Sequence, residues 1–306
     1  MTTAETFAED TGLAPHPPGA AAPSRARLLR RFLHNKLAVL GAVILIIVVA
    51  VAVLAPLIAP HDPDTQDLLL RLKPPGTDDH LLGTDQFGRD VLSRLIYGAR
   101  VSLVAAALAV GVAALLGVPL GMLAGFGSRR ADAVLSWSND ALMSVPALIL
   151  ALTIVAVLGP GSLTNAMLAV GIVTAPRFFR VARATTQDVR HETYIEASRA
   201  IGCTRSRILG RHVFPNAVTP LVIQVTLTLG AAIVAEASLS FLGFGVRAPT
   251  ASWGSMLNDA YVNLSQAPYL VYIPGATIAI VVLAFTLVGD GLRDALGTRT
   301  KAGADV

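Results

Sequence analysis

The chain has 306 residues, 54% hydrophobic and 14% charged, with a formal net charge of +4 and a mean hydropathy of +0.63. That composition excludes an ordinary soluble globular domain. Cys203 is the only cysteine, which excludes an intramolecular disulfide and a thiol-held metal site.

The charges leave long gaps. Residues 37–60, 101–128, 141–176, 213–235 and 260–289 contain no Asp, Glu, Lys or Arg. A bilayer crossing needs about 20 apolar residues, so each gap is a candidate span. Gly159, Pro160 and Gly161 break the third gap in two. The expectation is an all-α polytopic membrane protein with six transmembrane helices, roughly 37–59, 101–125, 134–158, 163–182, 217–237 and 269–290.

In chain order, residues 1–30 read as a disordered cytoplasmic tail. Arg30 and Arg31 stand before an apolar stretch too long for an export-signal core, so an uncleaved anchor is expected. Residues 31–99 form the first span and an outer segment, 100–295 the core with a cytoplasmic loop at 183–216, and 296–306 a second cytoplasmic tail. With both termini inside, most of the 24 basic residues fall on the cytoplasmic side, as the positive-inside rule requires. The outer segment 61–100 carries five of the exceptions, Arg71, Lys73, Arg89, Arg94 and Arg100. The basic balance therefore reports topology rather than a nucleic-acid partner. The lipid bilayer is the first partner.

In the outer segment Asp85, Gly88, Arg89 and Asp90 crowd together before the second span. A calcium loop of EF-hand type needs a distal Glu that is absent here. A helix capped at Thr84 or Asp85 is favoured instead. In the second span Gly117, Gly121 and Gly125 recur every four residues, a ridge that lets helix backbones approach closely. Packing within the chain is favoured over a subunit contact. Pro119 is expected to kink this helix. Asp140 is ambiguous, and Arg177 and Arg180 are near enough to the boundary to snorkel.

On a helix, Tyr194, Ala197, Ser198 and Ile201 share one face, while Glu192, Glu196 and Arg199 point elsewhere. Two turns are too short to stand alone, so this helix either lies in a partner's groove or is a solvated loop helix. Gly202 follows where left-handed backbone is cheapest. A second helix, about 204–212, would run to Pro215 and re-enter the membrane. Twenty residues beyond Asn216 stands Glu236, an isolated charge near the outer boundary. It reads either as a pathway residue or as a structural hydrogen-bond partner.

The loop resembles the EAA loop of ABC-importer permeases. Glu196, Ala197, Ser198, Gly202 and Pro215 match its spacing, with Ser198 for an alanine and His212 and Phe214 for the usual Ile and Leu. The stretch from His80 through Asp85, Gly88, Arg89 and Asp90 to Arg100 is similar to the C-type subunit of dipeptide, oligopeptide and nickel permeases. So are Glu236, Phe241, Gly245 and Trp253 with their neighbours, and the resemblance covers about residues 30–295. It implies a type I ABC importer permease fold in a bacterial inner or plasma membrane. The implied partners are a homologous permease subunit, two ABC ATPase subunits and an extracytoplasmic solute-binding protein. Tyr194, Glu196, Ala197, Ser198, Ile201, Gly202 and Pro215 would couple to the ATPases. Asp85, Gly88, Arg89, Asp90, Glu236 and Phe241 would serve the outer face or pathway.

The chain itself is expected to be non-catalytic and to bind no cofactor, with ATP and Mg used by the partners. None of Lys36, Lys73 and Lys301 sits in a Gly-Lys-Ser/Thr motif, and Ile195 stands where a zincin needs its second His after His191 and Glu192. The alternative from another class is a self-sufficient secondary transporter or channel, which would show an internal repeat or broken helices around midplane charges. No convincing repeat is visible.

Overall fold

The computed structural model describes residues 25–77 and 79–296. The tail expectations for 1–24 and 297–306 lie outside the described residues. Helix α1 (Arg25–His34) nonetheless reaches back into the segment expected to be tail.

Asn35 ends α1 and caps α2 (Lys36–Val53), its side chain accepting from the Leu37 and Ala38 amides. Pro56 then starts the short α3 (Ala55–Ile58), where a missing N–H costs nothing. Irregular chain follows to α4 (Val91–Phe126), whose cap is Asp90 rather than Thr84 or Asp85. The Asp90 carboxylate accepts from the Ser93 amide at 2.7 Å, whereas Asp85 is spent on a turn of its own. At 36 residues α4 is about 54 Å long, well over the 30 Å hydrocarbon thickness.

Next, α5 (Arg129–Ser144) and α6 (Ala147–Leu158) meet at 94°. The expected straight span 134–158 is therefore a bent pair. Pro146 forces Val145 out of the helical region, to ψ 133. Helix α7 (Leu163–Arg190) starts from the Ser162 cap, and its second half carries Arg177, Arg180, Arg183 and Arg190. Beyond the loop, α8 (Thr193–Ala200), α9 (Arg205–Ile208) and α10 (Phe214–Phe241) lead back through the bundle. Helix α11 (Trp253–Val262) precedes α12 (Tyr269–Ala295).

Among the described residues four helices are long and apolar enough to cross a membrane, five if the bent pair is one span. The count of six is thus approximate. Its weakest member is α7, whose arginines dilute the apolar stretch.

The core sits where α4, α7, α10 and α12 meet. Gly117, Gly121 and Gly125 of α4 lie against the backbone carbonyls of Ala175, Phe179 and Arg183 of α7, so both helices advance four residues per contact. A Cβ at any of these glycines would overlap the facing backbone. The ridge is an intramolecular seam. Helix α2 docks on α12 in the same way, with Gly41 against Ala284 and Ala38 against Gly291. The outer faces of α2, α4 and α12 expose Ile46, Ile47, Leu115 and Leu283, suited to lipid or to apolar protein surfaces.

Gly121→Leu should destabilise the chain by at least about 3 kcal/mol, because two backbones must part to admit the side chain. Gly111→Leu, on the same helix with open space beside it, should be tolerated. Melting in detergent, read by scanning fluorimetry, separates the two.

Candidate functional site: a coupling helix and a buried charge network

Two regions at opposite ends of α4 gather the polar residues. At the first, α7 ends where Arg190 reaches the carbonyls of Gly125 and Gly127 at 3.5 and 3.3 Å. Helix α8 hangs from this corner. Ile195, fully buried, anchors it beside Ile208 and Val213, which are equally buried. The Arg199 guanidinium covers the Phe126 ring at 4.9 Å.

The expected face of α8 points outward. Tyr194 is 43% and Ile201 81% exposed, and Ala197 and Glu196 are exposed with them. Ser198 Oγ donates to the Tyr194 carbonyl at 2.7 Å, and the Tyr194 hydroxyl accepts from Asn216 Nδ2 at 3.3 Å. The helix closes with a paired-bond stop: the Gly202 amide donates to Arg199 O and the Cys203 amide to Ser198 O, both at 3.0 Å. That Schellman geometry needs left-handed backbone at Gly202, where φ is +83°.

The chain then re-enters the bundle differently from the expected separate helix. Residues Arg205–Phe241 run as one helix of 37 residues, interrupted by a π turn at Leu209–Val213. Pro215 explains the turn. It has no N–H to offer the preceding turn, and the Phe214 amide bonds back five residues to Leu209 O. Asn216 Nδ2 takes up the His212 carbonyl at 2.7 Å.

At the other end, Asp85 organises a network. Its Oδ1 accepts from the amides of Phe87 and Arg89, and its Oδ2 accepts from Arg89 Nε at 2.6 Å. Arg94 Nε lies 3.5 Å from the same Oδ2 and its Nη1 3.6 Å from Asp64. Arg89 also reaches Asp259 of α11 at 3.5 Å, and Gln86 joins Asp259 to Asn263. Both guanidinium groups are buried. Gly88, at φ +75°, lies so close to the Asp67 carbonyl that no side chain fits. Burial pushes the Asp259 carboxyl up, against the pull of Arg89 and Arg94.

Asp90 belongs to a separate cluster with His61 and His80. Glu236 lies fully inside the chain. Its two oxygens accept from Ser102 Oγ at 3.0 Å and Ser240 Oγ at 2.7 Å, and Ser102 Oγ also accepts from the Trp253 amide. It thus ties α10 to α4 and α11. Phe241 packs edge-on to Tyr261 and borders an open apolar groove of about 460 Å³ with Leu148, Ala237, Leu257 and Ile278. Asp140 pairs with Arg180 at 2.9 Å, both exposed.

Residues 117–302 match the family described as binding-protein-dependent transport system inner membrane component. The chain belongs to this family. Residues 25–75 also match the N-terminal transmembrane domain of oligopeptide transport permease C. The permease is 41% identical to a dipeptide transport system permease of Alkalihalophilus pseudofirmus, over 88% of each chain. It is 42% identical to a di/tripeptide transport permease of Pseudomonas aeruginosa, over 89% of this chain and 91% of that one. A glutathione transport permease of Pectobacterium atrosepticum is 38% identical, over 89% and 90%. Among solved structures, an inward-facing methionine ABC transporter matches 67% of this chain and 97% of its own, with a TM-score of 0.56 at 21% identity. The permease is thus a multi-pass membrane subunit with the fold of ABC importer permeases.

Asp85→Asn would leave two buried guanidinium groups short of a partner and should cost about 3–5 kcal/mol. Asp259→Asn should cost less than half of that at neutral pH. A carboxyl raised on folding adds stability below its unfolded pKa and loses it as pH rises through the folded one. Melting of both variants at pH 5 and pH 8 checks the order.

Proposed function

We propose that this permease is one half of the translocation pathway of an ATP-driven importer for small peptides. Its partners are a homologous permease, two ABC ATPases and an extracytoplasmic solute-binding protein. The observation that carries the coupling role is the outward face of α8. A two-turn helix keeps Tyr194, Ala197 and Ile201 uncovered while Ile195 is buried and the Gly202 turn closes its end. Such a helix is unstable alone, and its free face suits a groove on an ATPase subunit. Ser198 shares that face, Glu196 flanks it, and Pro215 sets the π turn behind it.

Both termini and α8 lie on the cytoplasmic side of a bacterial inner or plasma membrane, consistent with the basic residues clustered there. The Asp85–Arg89 network, with Gly88 and Asp90, frames the outer surface on which the binding protein docks. Phe241 borders the pathway, and Glu236 holds the helices beneath it. Peptide cargo is supported by the dipeptide, di/tripeptide and glutathione permeases among the relatives. ATP and Mg act in the ATPases, and this chain does no bond chemistry.

Pull-down of the tagged chain from native membranes should bring a second permease and P-loop ATPases. A lone chain or homo-oligomer under gentle cross-linking would return the secondary-transporter alternative.

Gly202 has open space where a side chain would go, so substitution there tests backbone alone. Left-handed backbone costs an L-residue about 1–2 kcal/mol, more when β-branched. Gly202→Val should lower peptide uptake per ATP hydrolysed several-fold in proteoliposomes, with Gly202→Ala between it and wild type. Normal uptake by Gly202→Val would remove the turn from the coupling mechanism.

A further inference from the structure

Asp90, His80 and His61 stand apart from the charge network, and the coupling reading leaves the two histidines without a task. Their candidate ligand atoms all lie within 4.8 Å of one another. His80 Nδ1 is 2.9 Å from Asp90 Oδ1, and His61 Nδ1 is 3.9 Å from Asp90 Oδ2. The two imidazole rings lie 4.6 Å apart. Asp90 is 1% exposed in its side chain and His80 10%, whereas His61 is 38% exposed.

His61 carries the decisive detail. Its Nδ1 is buried and, among the described residues, is the side-chain polar atom left without a hydrogen-bond partner. A separation of 3.9 Å is too long for a hydrogen bond to Asp90. Two ligands on a tetrahedral zinc ion stand about 3.3 Å apart, from metal–ligand lengths near 2.0–2.1 Å. To reach a tetrahedral shell the His61–Asp90 pair would close by about 0.6 Å, the His80–Asp90 pair would open by about 0.4 Å, and no pair of ligand atoms would move together by more than about 1.5 Å.

The backbone holds the three residues in place. The His61 amide donates to Ser93 Oγ at 3.0 Å, and the Ser93 amide donates to Asp90. The His80 carbonyl accepts from the Gly76 and Gly83 amides, both at 3.0 Å. Asp90 is a buried carboxylate with these two imidazoles within 4 Å of its oxygens.

We propose that His61, His80 and Asp90 bind a divalent transition cation of zinc type. Two nitrogens and one carboxylate oxygen suit zinc or its neighbours rather than calcium or magnesium, which take oxygen ligands. His80 coordinates through Nδ1 once the proton on that atom shifts to Nε2. The exposed side of His61 admits the ion and leaves a coordination position to water. The ion would staple the chain after α3 and the turn at His80 to the start of α4.

The test uses the full chain, purified in detergent with a histidine-free tag and stripped by chelator. Titration with Co²⁺ should give visible d–d bands saturating at one ion per chain, and Zn²⁺ should displace it. His61→Ala removes a ligand that makes no side-chain hydrogen bond, so the fold should survive. It should weaken binding by more than the roughly 10–100-fold typical of losing an outer-shell partner. His34→Ala, outside the cluster, should bind as wild type. Equal binding by wild type and His61→Ala, or none at micromolar metal, overturns the proposal. X-ray absorption on the wild-type zinc form is independent of the variant: two imidazoles and oxygen support the site, and one imidazole or none refutes it.

Discussion

Everything in this bundle depends on how closely α4 and α7 approach. Hydrocarbon supplies no hydrophobic drive between helices in lipid, so they are held by packing and by polar contacts. Three glycines on one helix let it lie against the backbone of the other for three turns. That seam brings the C-terminal ends of α4 and α7 together, the ends from which α5 and α8 continue. The outward posture of α8 is a downstream effect, because the corner that carries it is built from the C-terminal ends of α4 and α7. Arg190 closes the corner by bonding to carbonyls at the end of α4.

The polar residues divide by what surrounds them. Near α11, two buried guanidinium groups share the carboxylate of Asp85, and removing that carboxylate leaves both short of a partner. Inside the bundle, Glu236 accepts from the hydroxyls of Ser102 and Ser240. Between α5 and α7, Asp132 takes a forked pair from Arg183, with Nη2 at 2.7 Å, where both side chains remain partly exposed. The forked pair is held by two parallel bonds, whereas the exposed Arg180–Asp140 pair nearby can open and reform at little cost.

Much of this was legible in the sequence for local reasons. The Gly202 stop, the four-residue glycine ridge and the long uncharged runs each depend on residues close in the chain. The failures are informative too. Thr84 and Asp85 looked like a cap, but the buried Arg89 and Arg94 claim Asp85, and the cap passes to Asp90. Ile195 was invisible because helical spacing identifies a face without saying whether the chain or a partner covers it. The Asp85–Asp259 network joins segments far apart in sequence, and no local pattern announces such a pair. The bend at Pro146 could have been foreseen from the proline alone. Its 94° could not, because a proline marks where a helix breaks without fixing the angle at which the chain resumes.

The π turn has a mechanical consequence. By absorbing Pro215 without a break, it makes Arg205–Phe241 a single strut of about 55 Å. One tip stands beside the Gly202 turn and the other is riveted, through Glu236 and Ser102, to the neighbourhood of Trp253. On a strut of that length a tilt of about 5° at one tip sweeps the other through about 5 Å. Such a tilt at the Gly202 end cannot leave the Glu236–Ser102 contact with α4 where it stands, so the two ends of the helix must move together.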